Sequence, residues 1–329
     1  MTEADAPVRA PFEPRDGVPE VIQTPEALAE YAARLAEGTG PLALDAERAS
    51  GYRYSQRAYL IQLRRAGAGT ALIDPVPLPD LTAIQEATQG AEWILHAATQ
   101  DLACLAEVGL HPTTLFDTEL AGRLLGRERV SLAALVESEL GEVLEKGHGA
   151  TDWSVRPLSP AQLRYAALDV ELLLELRDAM DAALVDSGKR AIAQEEFDAL
   201  VGWTPKERGP DEWRRTSGIH KIRKPRALAV VRGLWQERDA LAQEKDIAPG
   251  RLLPDASIVV AATTDIATID DLRDLSSFNG RGAHRYLRRW WQAITAARAL
   301  PDADLPVSAP PPSGPRSFGV HVTSASNSS

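Results

Sequence analysis

The chain has 329 residues, 44% hydrophobic and 25% charged, with a net charge of −11 and a single cysteine, Cys104. No run of about 18 apolar residues occurs, so no helical membrane span is expected, and a lone cysteine leaves neither a disulfide framework nor a paired-thiolate zinc site. The charge is uneven: from Trp203 to Arg298 there are 18 Lys and Arg against 12 Asp and Glu, a net of +6, which leaves −17 for the rest.

Residues 1–20 are polar, acidic and Pro-rich. They predict a disordered lead unlike a signal peptide, and a cytoplasmic protein is the default. From Thr24, TPEALAEYAARLAEG predicts a helix with Thr24 as N-cap and Gly38 as its stop. GPLALDAE, RAYLIQLRRA and TALIDP are short apolar or alternating runs separated by turn residues, the pattern of a β-meander. PDLTAIQEATQG predicts a helix, EWILHAA a fourth strand, and TQDLACLAEVGL a helix ending at Gly109. TLFDTELAGRLLG predicts a further helix with Asp117 as N-cap. VSLAALVESELG and one long helix, SPAQLRYAALDVELLLELRDAMDAAL, complete a mixed α/β domain over 21–202.

Residues 203–220 are charged and carry Gly and Pro, and read as a linker. From 221 to 300 the pattern is helical throughout, a small all-α domain. Residues 301–329 form a Pro/Ser/Gly-rich stretch with too little apolar content to pack, and read as a disordered tail.

The chain holds no P-loop, GxGxxG, HExxH or GxSxG, and its six His residues show no ligand spacing. Acids remain as the catalytic resource. In LALDAERAS, Asp45 and Glu47 stand two apart at the end of an apolar run. In a strand they face the same way and raise each other's pKa. A cation, an Arg partner or a solvated strand end would each relieve that strain. Asp101 opens the helix after the fourth strand. Tyr165 and Asp169 are i and i+4, on an otherwise apolar helix face with Leu163, Ala166, Ala167, Val170 and Leu173, where an idle Asp is costly. Four converging carboxylates would suit two hard divalent cations, Mg²⁺ or Mn²⁺, of the kind that clamp the attacking and leaving oxygens of a phosphodiester about 3.5–4 Å apart. Tyr165 would then orient or deprotonate the attacking water.

LALDAE, HAATQDLACL and YAALDVELLLEL, in this order, resemble the three motifs of the DEDD exonuclease superfamily, in the subclass with Tyr in its third motif. GHGATDWSVRPLSPAQLRYAALDV resembles the corresponding stretch of ribonuclease D, and the helical segment from about 220 to 300 resembles the HRDC domain. The departures, Leu168 before the Asp of the third motif and Tyr59 in the second strand, touch no ligand position. The resemblance implies an RNase H-like exonuclease domain, a mixed five-stranded sheet flanked by helices, then an HRDC-like helical domain over 221–300 that binds nucleic acid. It makes Asp45, Glu47, Asp101 and Asp169 the ligands of two divalent cations and Tyr165 the water-orienting residue. It implies 3′→5′ hydrolysis of single-stranded RNA ends to nucleoside 5′-monophosphates, with tRNA precursors as cellular substrates, by a monomer without an organic cofactor or membrane partner. A DNA-directed repair exonuclease and a non-catalytic recruitment module are the competing readings.

Arg214, Arg215, Lys221, Arg223, Lys224 and Arg226 form a basic run that would track phosphates and make binding salt-sensitive. A solvated linker has the same composition, and both readings stand at this point. Trp290 and Trp291 offer either stacking faces or core packing.

Overall fold

The computed structural model describes residues 10–145, 147 and 149–307. Two compact units divide it. One runs to Glu207 and includes Asp246–Ala248; the other comprises Arg208–Lys245 and the chain from Pro249.

Among its described residues the first unit has six strands: β1 (Val21–Ile22), β2 (Thr39–Arg48), β3 (Ala58–Ala66), β4 (Gly69–Ile73), β5 (Glu92–Leu95) and β6 (Thr114–Asp117). Their order is β1-β4-β3-β2-β5-β6. β2, β3 and β4 form the expected antiparallel meander, while β1, β5 and β6 pair parallel to their neighbours. The sheet therefore has six strands where five were expected. The extra one is β1, whose two residues are too short to carry an alternating pattern. β6 occupies Thr114–Asp117, which reads from sequence as the start of a helix; Asp117 does cap α4, but Leu115 and Phe116 are sheet residues.

Among the described residues, eight helices accompany the sheet: α1 (Pro25–Glu37), α2 (Thr82–Ala87), α3 (Leu102–Ala106), α4 (Thr118–Leu124), α5 (Leu132–Leu140), α6 (Pro160–Glu171), α7 (Leu173–Asp186) and α8 (Arg190–Val201). Local chemistry starts several of them. Thr24 accepts from the Ala27 N–H at 3.3 Å, and Ser159 with Gln162 closes a capping box ahead of α6. The long helix expected after Ser159 is two, interrupted at Leu172. α6 packs on β2, β3 and β4, whereas α7 packs on β2 and β5. α8 carries Phe197, whose ring meets that of Phe116 at 4.7 Å.

The main core contains Leu28, Tyr31 and Leu35 of α1 with Leu42, Leu44, Ile61, Leu63 and Ile73 of the meander. A second cluster joins Tyr59, Leu60 and Leu72 to Trp153 and to Ala166 of α6. Both faces of the sheet are covered, which is why β2 and β3 are nearly continuous apolar runs.

The lead expected to be disordered over 1–20 is ordered from residue 10. Phe12 N–H donates to the Val143 carbonyl at 2.7 Å, Glu13 receives a two-pronged hydrogen bond from Arg164 at 2.6 and 2.8 Å, and Arg15 pairs with Glu171 and Glu175. Residues 1–9 lie outside the described residues. The linker expected over 203–220 is also largely structured. Trp213 and Thr216 are buried in the second unit, because burying one indole outweighs a polar composition.

The second unit is helical: α9 (Pro225–Lys245), α10 (Pro249–Leu252), α11 (Asp255–Thr263), α12 (Ile269–Asp274), α13 (Arg281–Arg285) and α14 (Leu287–Arg298). α14 and α11 pack on α9, around Leu234, Leu241, Ile258 and Ile294, all fully buried. Of the tail expected to be disordered, Asp302 and Asp304 are engaged by Arg226 and Arg232; residues 308–329 lie outside the described residues.

Candidate active site

Register places the first two acids. Asp45 lies opposite Gln62 and Glu47 opposite Leu60, so both carboxylates share the sheet face that carries Leu60 and Leu72 and is covered by α6. α6 brings Asp169 to the same spot. One carboxylate oxygen from each of Asp45, Glu47 and Asp169 lies within 4.8 Å of the other two. Asp101 stands outside that tight group but lines the same cavity, of about 440 Å³. Tyr165 is on the wall as well, hydrogen-bonded to Asp169, which follows from their i,i+4 spacing.

The cluster is electrostatically strained. Burial pushes the Asp45 carboxyl up to about 6. Glu47 is driven well above the usual carboxylate range by burial and then by Asp45, Asp169 and Asp101; burial and Asp45 do the same to Asp101 and Asp169. Burial, with the neighbouring carboxylates, also raises the Tyr165 phenol, which stays protonated. Such groups are tolerable when a cation is drawn in to them. The donor set is hard oxygen, the chemistry that fits Mg²⁺-type ions rather than zinc or copper.

Two neighbours that the motif reading missed moderate the strain. The fully buried Gln62 amide donates to Asp45 Oδ2 at 3.4 Å and to Glu47 Oε1 at 3.3 Å. Its signal was a lone amide in the apolar run AYLIQL. Arg48, the residue after Glu47, sets its Nε 3.8 Å from Asp101 Oδ1. It supplies a fixed positive charge inside the cavity wall.

The loop across the cavity is fastened from behind. Arg156 grips Asp74 through two hydrogen bonds of 2.7 and 3.0 Å and also donates to the carbonyls of Trp153 and Tyr59, each at 2.7 Å. Trp153 is fully buried. Gly149 and Thr151 are thereby held at the cavity rim, and a Cβ at Gly149 would stand 3.2 Å from the Tyr165 hydroxyl. Asp117 does more than cap. It accepts from the N–H groups of Ala97 and Ala98 at 3.1 and 2.8 Å as well as from Leu120 at 3.1 Å. This pins the turn, left-handed at Ala97, from which Asp101 projects. His96 bonds Thr118 at 2.9 Å and the His111 backbone bonds Gln85, both holding structure.

The basic run of the second unit is not a free patch throughout. Arg214 pairs with Asp211 and lies over Trp213, Arg215 pairs with Glu212, and Arg226 binds the carbonyls of Arg298 and Leu300 at the end of α14 together with Asp302. Lys221, Arg223 and Lys224 are exposed. Trp290 is core, its indole N–H on the Ala283 carbonyl at 2.9 Å, while Trp291 is half-buried.

Residues 19–184 match the family model described as 3′-5′ exonuclease, and residues 227–294 that of the HRDC domain. A ribonuclease D from Acidiphilium cryptum is 31% identical over 315 residues, 90% of this chain and 78% of its own length. One from Jannaschia sp. is 32% identical over 271 residues, 78% and 68% respectively. Among solved structures, a protein from Bifidobacterium adolescentis superposes with a TM-score of 0.83 at 42% identity, covering 91% of this chain and 78% of that one. Escherichia coli RNase D, an exoribonuclease involved in structured RNA processing, does so at 0.69 and 27% identity, covering 87% and 77%. This chain belongs to the ribonuclease D family, a 3′-5′ exonuclease domain followed by an HRDC domain.

Proposed function

We propose that the protein is a divalent-metal-dependent 3′→5′ exoribonuclease that releases nucleoside 5′-monophosphates, and that it trims structured RNAs such as tRNA precursors from their single-stranded 3′ ends. The observation that carries the reading is the convergence of Asp45, Glu47 and Asp169 in one cavity with Tyr165 and Asp101.

Asp45, Glu47, Asp101 and Asp169 would hold two cations, Mg²⁺ or Mn²⁺. When bound, these would supply charge neutralisation and Lewis acidity toward the attacking and leaving oxygens of the phosphodiester. The remaining work falls to the chain. Tyr165 stays a phenol, donates to Asp169 and offers its oxygen to orient the attacking water. Gln62 holds the Asp45 and Glu47 carboxylates in place. Gly149 leaves room beside the phenol that any side chain would fill.

The test uses the full chain with a 3′-tailed RNA hairpin and a matched DNA, each labelled at the 5′ end, in Mg²⁺, Mn²⁺ or EDTA. A metal-dependent ladder shortening from the RNA 3′ end is expected. A ladder on DNA alone would reassign the protein to repair, and binding without shortening would make it a recruitment module.

A further inference from the structure

A guanidinium carries five N–H donors, and the arginines of this protein satisfy them in two ways. Arg281, Arg285 and Arg288 stand exposed on α13 and α14, within reach of water. Partly buried arginines find acceptors on the protein. Arg156, whose side chain is 29% exposed, grips Asp74 at 2.7 and 3.0 Å, and Arg177, 20% exposed, reaches Glu92 at 2.7 and 3.4 Å. Arg48 follows neither pattern. Its side chain is only 24% exposed, yet its guanidinium makes no hydrogen bond among the described residues. Nε is buried without a partner, and Asp101 Oδ1, at 3.8 Å, is beyond hydrogen-bonding reach. The terminal nitrogens are open to solvent.

Its place gives those donors a use. Arg48 closes β2 where the register with β3 slips by one residue, and it lines the cavity that holds the acids. Among the described residues it is the only Lys or Arg on that wall. His96, which also lines the cavity, is kept from protonating by burial and is bonded to Thr118. Asp101 therefore holds the guanidinium at the wall by charge, without taking its donors. We propose that Arg48 is a catalytic residue that binds the scissile phosphodiester, its guanidinium donating to a non-bridging oxygen and keeping that contact as the phosphate leaves on the released nucleotide. The inference rests on the exoribonuclease reading for its substrate and goes beyond it in assigning the residue.

The chemistry of the step asks for such a group. The oxygen of water bonds to phosphorus, the P–O3′ bond breaks, and a water proton ends on the O3′ of the shortened RNA. The phosphate enters as a diester with one negative charge and leaves as a 5′-monophosphate carrying about −1.5 to −2 near neutral pH, its second proton going to solvent. Two divalent cations would balance the four carboxylates, which leaves Arg48 as the one charge in surplus. That surplus matches the charge the substrate brings and then gains. A planar fork of donors suits phosphate oxygens better than a point charge does. Because the fork is already held at the cavity wall, no reorganisation is needed as charge builds on the phosphate.

The experiment uses the full chain in Mg²⁺ and measures, by calorimetry, the binding of adenosine 5′-monophosphate and of adenosine to wild type, Arg48→Gln and Arg48→Lys. The two probes differ only in the phosphate. Losing a hydrogen bond to a charged group should weaken binding of the monophosphate by roughly ten- to a hundredfold in the Gln variant and leave adenosine unchanged. The kcat for 5′-labelled RNA should fall at least as far. The Lys variant should recover part of both, since it keeps the charge and loses the fork. Mn²⁺ binding without RNA is titrated alongside. A Gln variant that takes up Mn²⁺ more tightly but prefers the monophosphate over adenosine as strongly as wild type makes Arg48 a partner of Asp101 alone and overturns the proposal. So does an equal loss of both probes that Lys does not relieve, which would mean that the side chain shapes the cavity. If the wild-type chain neither binds the monophosphate nor shortens RNA, the exoribonuclease reading fails together with this one. That outcome is distinct from a wild-type chain that does both beside an indifferent Gln variant, which removes Arg48 alone.

Discussion

The acid cluster and the α13–α14 face are opposite solutions to the problem of gathering like charges. In the cavity of the first unit, four carboxylates are buried or nearly so, and the protein offers them an amide, a phenol and one guanidinium. Their proton affinities rise because the fold holds them near one another away from water. On the helical unit the arginines stay in water, where self-repulsion is screened, and those that sit deeper carry carboxylate partners. Buried like charge signals an ion that belongs to the site. Exposed like charge is tolerated without one, because water and salt screen it.

The strongest way to break this contrast is to remove one acid. Asp45→Asn and Asp169→Asn should each lower hydrolysis of the labelled RNA by more than about a thousandfold in saturating Mg²⁺, since a hard-cation site loses a carboxylate. The same variants should melt at higher temperature than wild type in EDTA, because a buried repulsion is gone. Retained activity would dissolve the site, and a lower melting temperature would dissolve its electrostatic account.

Next in size is Arg156→Ala. It strands Asp74, which is 2% exposed, and removes the clamp on the loop at the cavity rim. Breaking a buried pair from one side costs about 3–5 kcal/mol, readable as a shift in the chemical-denaturation midpoint. Tyr165→Phe should act more narrowly, lowering kcat by roughly a hundredfold while leaving the Mg²⁺ concentration for half-maximal activity within a factor of two or so of wild type. An equal loss of Mg²⁺ affinity would instead make Tyr165 a support for Asp169.

The smallest and most diagnostic effect is on the pH dependence of stability without metal. Asp45 has its folded pKa near 6, above its unfolded value of 3.8, and the other three acids are shifted in the same direction. The folded state therefore binds more protons than the unfolded one over this range. Its stabilisation is complete below the unfolded value and is lost as pH rises through 6. Melts in EDTA should fall between pH 5 and pH 8, and added Mg²⁺ should restore the loss at pH 8 more than at pH 5. A melting temperature in EDTA that rises over this interval would contradict the shifts.

Some of this was legible in residue order alone. D-x-E at the end of an apolar run and YxxxD within a helix fix which side chains share a face, because strand and helix periods are local properties. Thr24 and Asp117 announced helix starts for the same reason. Other features were invisible for a physical reason. Val21–Ile22 becomes a strand only because β4 offers a free edge to pair with. Thr114–Asp117 looks helical until β5 lies beside it. The lead from residue 10 is ordered by partners more than a hundred positions away, Val143, Arg164 and Glu171 among them.

The sequence by itself determined the chemistry of the protein: its acids, their pairwise spacing and the helical character of its basic second region, all set by interactions within a few residues. Tertiary structure decided which groups act together. It brought Gln62 to Asp45 and Glu47 across a strand register, set Arg48 against Asp101, clamped Arg156 on Asp74 from 82 positions away, and neutralised Arg214, Arg215 and Arg226 while leaving Arg285 and Arg288 in solvent. Charge composition is additive along a chain, but compensation of charge depends on distances of a few ångströms, and those exist only once the chain has folded.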